Sequence, residues 1–172
     1  VISECKAAYE NFEFRKVFNS INTFCSNDLS ALYVDITKDR MYCDPIDSVR
    51  RRATQTAFAE IFLAISKLLA PVLAYTADEA WEHCAFTEGS VHAQDFPVAK
   101  HSSREATETV SELLKLRDQI QQKVEEQVQA KAFNKNNEAE VTVPTPENKD
   151  IEMLLRDRSF TTEFFIVADL KL

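Results

Sequence analysis

The sequence predicts a mainly α-helical protein, and three features carry that expectation. One Gly and five Pro in 172 residues leave little material for tight β-turns or Gly-rich loops. From the first residues to about Lys131, the stretch Phe86 to Lys100 apart, the apolar positions recur at three- and four-residue steps, the period of an amphipathic helix. Beyond Asn134 the pattern changes to an alternating stretch and short segments that read as a small α+β appendage. The expected organisation is a helical bundle over residues 1–102, followed by a long helix and a small α+β subdomain over residues 103–172.

A first helix is expected from Ile2 to Tyr9, running on towards Phe12. A second starts near Phe14, with Phe18, Ile21, Cys25, Leu29, Leu32 and Ile36 as its apolar stripe. As one straight helix, Phe14 to Ile36 would be a rod of roughly 35 Å. It must stop by Asp44, because Pro45 pushes the preceding residue out of the helical region. The third helix follows Asp47 or Ser48, both good N-caps. Ala57, Phe58, Ile61, Phe62, Ile65, Leu68 and Leu69 give it a face wide enough for the centre of a bundle, and Pro71 ends it. "TADE", Thr76 to Glu79, reads as a capping box opening a short helix through Trp81, whose ring is expected to pack in the core. Phe86 to Lys100 lacks a helical period and reads as a loop. A long helix then covers Ser103 to Lys131, with Leu113, Arg117, Ile120 and Val124 in its middle. Glu138 to Val143 alternates as a strand, "ENKDIEMLLRD" is a short helix, and "TEFFIVADL" is a second strand candidate.

Several function classes are excluded on these residues. The longest apolar run, Ala57 to Tyr75, contains Glu60, Lys67 and Pro71, and so falls short of the roughly 18 uncharged residues a membrane span needs. The four cysteines are far apart without a C-x-x-C pair, which reads as buried, reduced thiols in a cytoplasmic protein. His83, His92 and His101 have no metal-ligand spacing, and a phosphate-cradling loop is impossible with one Gly. With no nucleophile constellation either, the chain is expected to bind and not to transform: no catalytic residue, no metal and no cofactor of its own.

The net charge of −8 argues against a generic polyanion binder, but its distribution is uneven. The first 52 residues carry eight basic and eight acidic side chains, and the remainder carries twelve against twenty. Any nucleic-acid face belongs in the first third. There the segment "DSVRRRATQ" puts Arg50, Arg51 and Arg52 in the first turns of a helix, against the positive end of its dipole. Two explanations stand: pairing with Asp44 and Asp47, or an anionic ligand at the helix start. Lys38, Arg40 and Tyr42 fall at the same end of the bundle. Basic residues beside an aromatic ring suit a folded RNA loop, with charge for the backbone and a flat ring for an unstacked base.

"DLSALYVDITKDRMYCD", "RRRATQTAF" and "LLAPVLAYTADEAW" together resemble the anticodon-binding helical domain of bacterial-type isoleucyl-tRNA synthetases, class I enzymes. The valyl enzymes are similar in the last segment and less so around "YVDITKDRMY". The likeness continues through "VHAQDFP" and "LLKLRDQIQQKVEEQVQAKAFNKNNEAEVTV", in which Arg117 matches a family arginine. Where the family has a Gly-containing turn this chain has "FNKNNEA", in which Asn134 is expected to take the left-handed conformation. The HIGH and KMSKS motifs, the editing domain and the Cys-rich zinc segment of many bacterial members are absent from these residues. The resemblance implies a tRNA-Ile-binding part of a cytoplasmic, monomeric enzyme. Its upstream catalytic domain would use ATP and magnesium; zinc in the parent is left open. The implied RNA-binding set is Lys38, Arg40, Tyr42, Arg50, Arg51, Arg52 and Arg117. The equivalent valyl domain and a helical protein-binding scaffold are the alternatives.

Overall fold

Helices dominate the computed structural model, which describes residues 1–132 and 135–172. The Asn134 turn lies outside the described residues. The chain divides into two compact units, Val1–His101 and Ser102–Leu172.

In the first unit α1 (Ile2–Glu10) and α2 (Phe14–Thr23) pack as an antiparallel pair across a tight connection. The second expected helix remains helical from Phe14 to Tyr42, but it is not one α-helix. Phe24–Val34 forms a π-helix between α2 and α3 (Asp35–Tyr42), with bonding widened to the i→i+5 pattern. Within it Tyr33 packs on Phe58 of α4 with ring centroids 5.2 Å apart, the inter-helix role its place in the sequence suggests. The fourth helix, α4 (Val49–Leu69), begins at Ser48, whose hydroxyl accepts from the Arg51 N–H at 3.4 Å, and ends just before Pro71. Cys5, Ala8, Val17, Ile21 and Leu68 form one core cluster among α1, α2 and α4. The Tyr9 hydroxyl closes it by donating to the Leu68 carbonyl at 2.6 Å.

The fifth helix, α5 (Ala74–Glu82), starts two residues before Thr76, so "TADE" is not a capping box. Its Asp78 instead holds the loop, accepting from the Ser90 hydroxyl at 2.6 Å and the Val91 N–H at 3.1 Å. Those bonds keep the Asp78 carboxyl below the usual carboxylate range, the Ser90 hydroxyl foremost. Trp81 is buried with Ala70, Ala77 and Val91, as expected of a packing aromatic. Its Nε1 donates to the Glu88 carbonyl at 3.3 Å, and Lys67 Nζ lies 5.7 Å from the ring centre. All four cysteines are free; Cys5 is buried, whereas Cys43 is exposed, contrary to the expectation of buried thiols.

The second unit is built on α6 (Arg104–Gln129), capped by the Ser103 hydroxyl, with Leu113, Arg117, Ile120 and Val124 on its buried face. The strands β1 (Glu140–Thr142) and β2 (Asp169–Lys171) pair in parallel, and α7 (Lys149–Arg156) and α8 (Arg158–Phe165) form the crossover that a parallel pair requires. The expected strand in "TEFFIVADL" is therefore helix as far as Phe165 and turn from Ile166 to Ala168. The Asp157 carboxylate caps α8 by accepting from the Ser159 and Phe160 N–H groups, Phe160 and Phe164 stack at i,i+4, and Ile166 at φ 55° ends the helix. Only Asp169–Lys171 is left to pair.

Candidate nucleic-acid interface

The turn between α3 and α4 is organised by Asp44. Arg50 grips its carboxylate with both faces of the fork, Nε to Oδ2 and Nη2 to Oδ1, each at 2.6 Å. The Ser48 hydroxyl donates to Oδ2 at 2.8 Å, and Arg51 Nη1 donates to the Asp44 carbonyl at 2.6 Å. The Asp44 side chain is only 9% exposed, and its carboxyl is held below the ordinary carboxylate range, chiefly by the Arg50 hydrogen bond, with Ser48 and the charges of Arg50 and Arg40 adding to it. A bond from the Ser48 N–H to the Pro45 carbonyl at 3.0 Å closes the turn between them.

Packing behind the turn is equally defined. Thr37 on α3 and Thr54 on α4 are buried, and each spends its hydroxyl on the carbonyl four residues back, Tyr33 at 2.5 Å and Arg50 at 2.9 Å. Small side chains with no polar atom left wanting let the two helices meet closely.

The six candidates of the first unit therefore fall into different settings. Arg50 and Arg51 are held by Asp44, the local pairing that competed with an anionic ligand; Asp47 takes no part in it among the described residues. Arg51 Nε is buried without a hydrogen-bond partner among the described residues. Arg40 is half-buried near Asp44. Lys38 pairs with Asp35 at 2.8 Å on the exposed face of α3, which raises its pKa. Arg52 is exposed, and its guanidinium has no protein partner among the described residues. Tyr42 is 86% exposed at the last position of α3.

Arg117, the seventh candidate, belongs elsewhere. It is 5% exposed, its Nη1 donates to the Phe164 carbonyl, and its guanidinium lies 5.7 Å from the Phe164 ring centre. With the Gln121 amide oxygen turned towards it, Nη2 gains an acceptor at 3.0 Å. The guanidinium is committed to the core of the second unit, and the expectation that it contacts RNA is corrected. The sequence reading also passed over Ile46 and Val49, which are 77% and 85% exposed in the same turn as Tyr42. Their signal was legible: two apolar residues among Pro45, Asp47 and Ser48, on no helical stripe.

Among the described residues no group of His, Cys, Asp and Glu could hold a metal ion, and no helix is long and apolar enough to cross a membrane. What the first unit offers is a helical scaffold with a rigid, partly cationic turn at one end. The family model for the anticodon-binding domain of tRNA ligase matches residues 1–143, and the chain belongs to that family. Its curated relatives carry a more particular name. The isoleucine–tRNA ligase of Methylacidiphilum infernorum is 36% identical over all of this chain, and that of Bacillus subtilis is 37% identical over 99% of it. The isoleucine–tRNA ligase of Thermotoga petrophila is 34% identical over the full chain. The chain spans 18–19% of the length of these relatives.

Proposed function

We propose that this chain is the part of an isoleucine–tRNA ligase that holds the anticodon stem-loop of tRNA-Ile. The supporting observation is that the matched residues 1–143 include the turn from Tyr42 to Arg52, where an exposed ring and a guanidinium without a protein partner among the described residues stand on a fixed backbone. Phosphate contacts position an RNA, and an accessible ring accepts an unpaired base. Activation of isoleucine, with ATP and magnesium, falls to the rest of the parent chain, which works as a cytoplasmic monomer. The isoleucine assignment rests on the relatives' names and on the "YVDITKDRMY" segment.

The test is a salt titration of binding to tRNA-Ile, tRNA-Val and an RNA duplex without a loop. Binding through phosphates should weaken linearly in log–log form as salt rises, and tRNA-Ile should bind tighter than the other two. Preference for tRNA-Val would move the chain to the valyl enzymes. Salt-independent capture of none of the three would leave the protein-binding scaffold.

A further inference from the structure

We infer that the π-helix Phe24–Val34 is a phase-setting element: its under-winding keeps one row of side chains on α4 from α2 through α3, and so decides which side of α3 faces outwards. On the reading that the chain binds RNA, the stretch is a positioning element that acts through α3.

Besides the stripe at three- and four-residue steps, this segment carries a row at four-residue steps alone: Val17, Ile21, Cys25, Leu29, Tyr33, Thr37 and Met41. An α-helix turns about 40° too far at each such step, so from Val17 to Met41 the row would wind about two-thirds of the way round the rod. The structure keeps it on one side. Val17, Ile21 and Thr37 are buried, and Cys25, Leu29, Tyr33 and Met41 are half-buried. Their partners follow α4 backwards: Leu68 in the cluster of Val17 and Ile21 on which Cys25 packs, then Phe58 against Tyr33, then the α3–α4 contact where Thr37 is buried. Two residues out of step with this row, Asn19, Thr23, Asn27, Ala31 and Asp39 are all exposed.

The widened bonding supplies the correction. A π-helix takes about 4.4 residues per turn, so within it a four-residue step falls short of a turn by about 30° and takes back the excess wound up in α2 and α3. Its eleven residues make about two and a half turns, as about nine would in α geometry. With α geometry throughout, α3 would be rotated by about half a revolution. Thr37 would then face solvent, and Asp39 and Tyr42 would turn towards α4, burying a carboxylate at a cost. π-Helices are rare and mostly single turns, so one of this length is held by what it joins. None of its own residues is buried; its anchors are Ile21 in the core before it, Tyr33 on Phe58 near its end, and Thr37 beyond.

The experiment compares the 172-residue wild type with a deletion of Ser26 and Asn27, with a single Ala inserted between them, and with a deletion of Ala59 and Glu60 in α4. Ser26 and Asn27 are exposed, and without them the stretch can close up as α-helix with the phase of α3 kept. That chain should melt within about 5 °C of wild type, or above it. The insertion and the α4 deletion, with no slack to absorb them, should melt lower by about 10 °C or more. Affinity of the Ser26–Asn27 deletion for an anticodon stem-loop RNA should stay within about twofold of wild type, with the same salt slope. The insertion chain, measured below its own melting temperature, should lose about tenfold and about one phosphate's worth of slope. A Ser26–Asn27 deletion that melts as low as the insertion overturns the phase element. A deletion chain that stays stable but binds the stem-loop no better than the insertion chain overturns the positioning role. A wild-type chain that does not prefer the stem-loop to a duplex overturns the RNA reading itself, and the melting temperatures alone then decide on the phase element.

Discussion

Arg52 and Arg117 stand out equally in the sequence, and the structure places them in opposite surroundings. Arg52 stands in solvent on the second turn of α4, while Arg117 is buried in the second unit with its guanidinium on the Phe164 carbonyl and ring. Between the two lie Arg50 and Arg51, held by Asp44 at the edge of the same turn. Residue type alone does not assign an arginine to a ligand. A guanidinium is spent on whatever carbonyl or carboxylate the fold brings first, and only what is left over can meet a partner.

The comparison makes its strongest demand on Arg117. Arg117→Ala should lower stability by about 2–4 kcal/mol, because it leaves the buried Phe164 carbonyl short of a donor and opens space against the ring. Calorimetry or denaturant unfolding measures the loss. RNA affinity, taken well below the melting temperature, should stay at the wild-type value. A stable Arg117→Ala chain with weakened RNA binding would return this residue to the interface and break the contrast.

That contrast was half legible beforehand. Arg117 lies four residues after Leu113 and three before Ile120, squarely on the apolar stripe of α6, so helix phase already announced a buried position. Its partner was not legible, because Phe164 is distant in sequence and belongs to a segment that reads as a strand. The aromatic and β-branched content of "TEFFIVADL" favours a strand, but Asp157 supplies an N-cap just upstream and the helix wins. The same holds at the turn: Pro45 and Ser48 fixed where α3 ends and α4 begins, whereas the choice of Asp44 over Asp47 depended on three-dimensional reach. The π-helical bonding of Phe24–Val34 leaves no mark in a stripe read at three- and four-residue steps.

Arg52 should behave as the inverse of Arg117. Arg52→Gln is expected to leave unfolding within about 0.5 kcal/mol of wild type, as for an exposed position. It should reduce the salt dependence of RNA binding by about one phosphate, a slope change of roughly 0.7–0.9. A slope that stays put, alongside a lowered melting temperature, would make Arg52 a structural residue like its neighbours.

Asp44 tests the middle case. Its carboxyl is held below the usual range in the folded chain, so the stability it contributes is present above the unfolded carboxylate value, about 3.9, and is lost as pH falls through the lower folded value. Asp44→Asn should flatten that part of the pH–stability curve. At neutral pH it also takes the carboxylate away from Arg50, while Arg51 keeps the backbone carbonyl of residue 44, so binding to RNA duplex should rise and become more salt-dependent while preference for the loop falls. Loss of stability with no change in salt dependence would mean that Arg50 stays where it is without the carboxylate.

Lys38 carries the smallest expected effect, and it shows where the division between spent and free charge becomes gradual. Its ammonium is 2.8 Å from Asp35, but both side chains are partly in solvent, at 51% and 33% exposure, and an exposed i,i+3 pair is held by well under 1 kcal/mol. Lys38→Ala should therefore shift unfolding by no more than about 0.5 kcal/mol. An ion pair that weak can open towards a phosphate, yet it must leave Asp35 behind as a nearby negative charge. The gain is smaller than for Arg52, whose guanidinium has no such partner to abandon among the described residues. The salt slope of RNA binding should consequently change less for Lys38→Ala than for Arg52→Gln when the two are measured side by side. An equal change would place Lys38 directly on a phosphate, with Asp35 swung away, and would extend the cationic part of the turn back along α3.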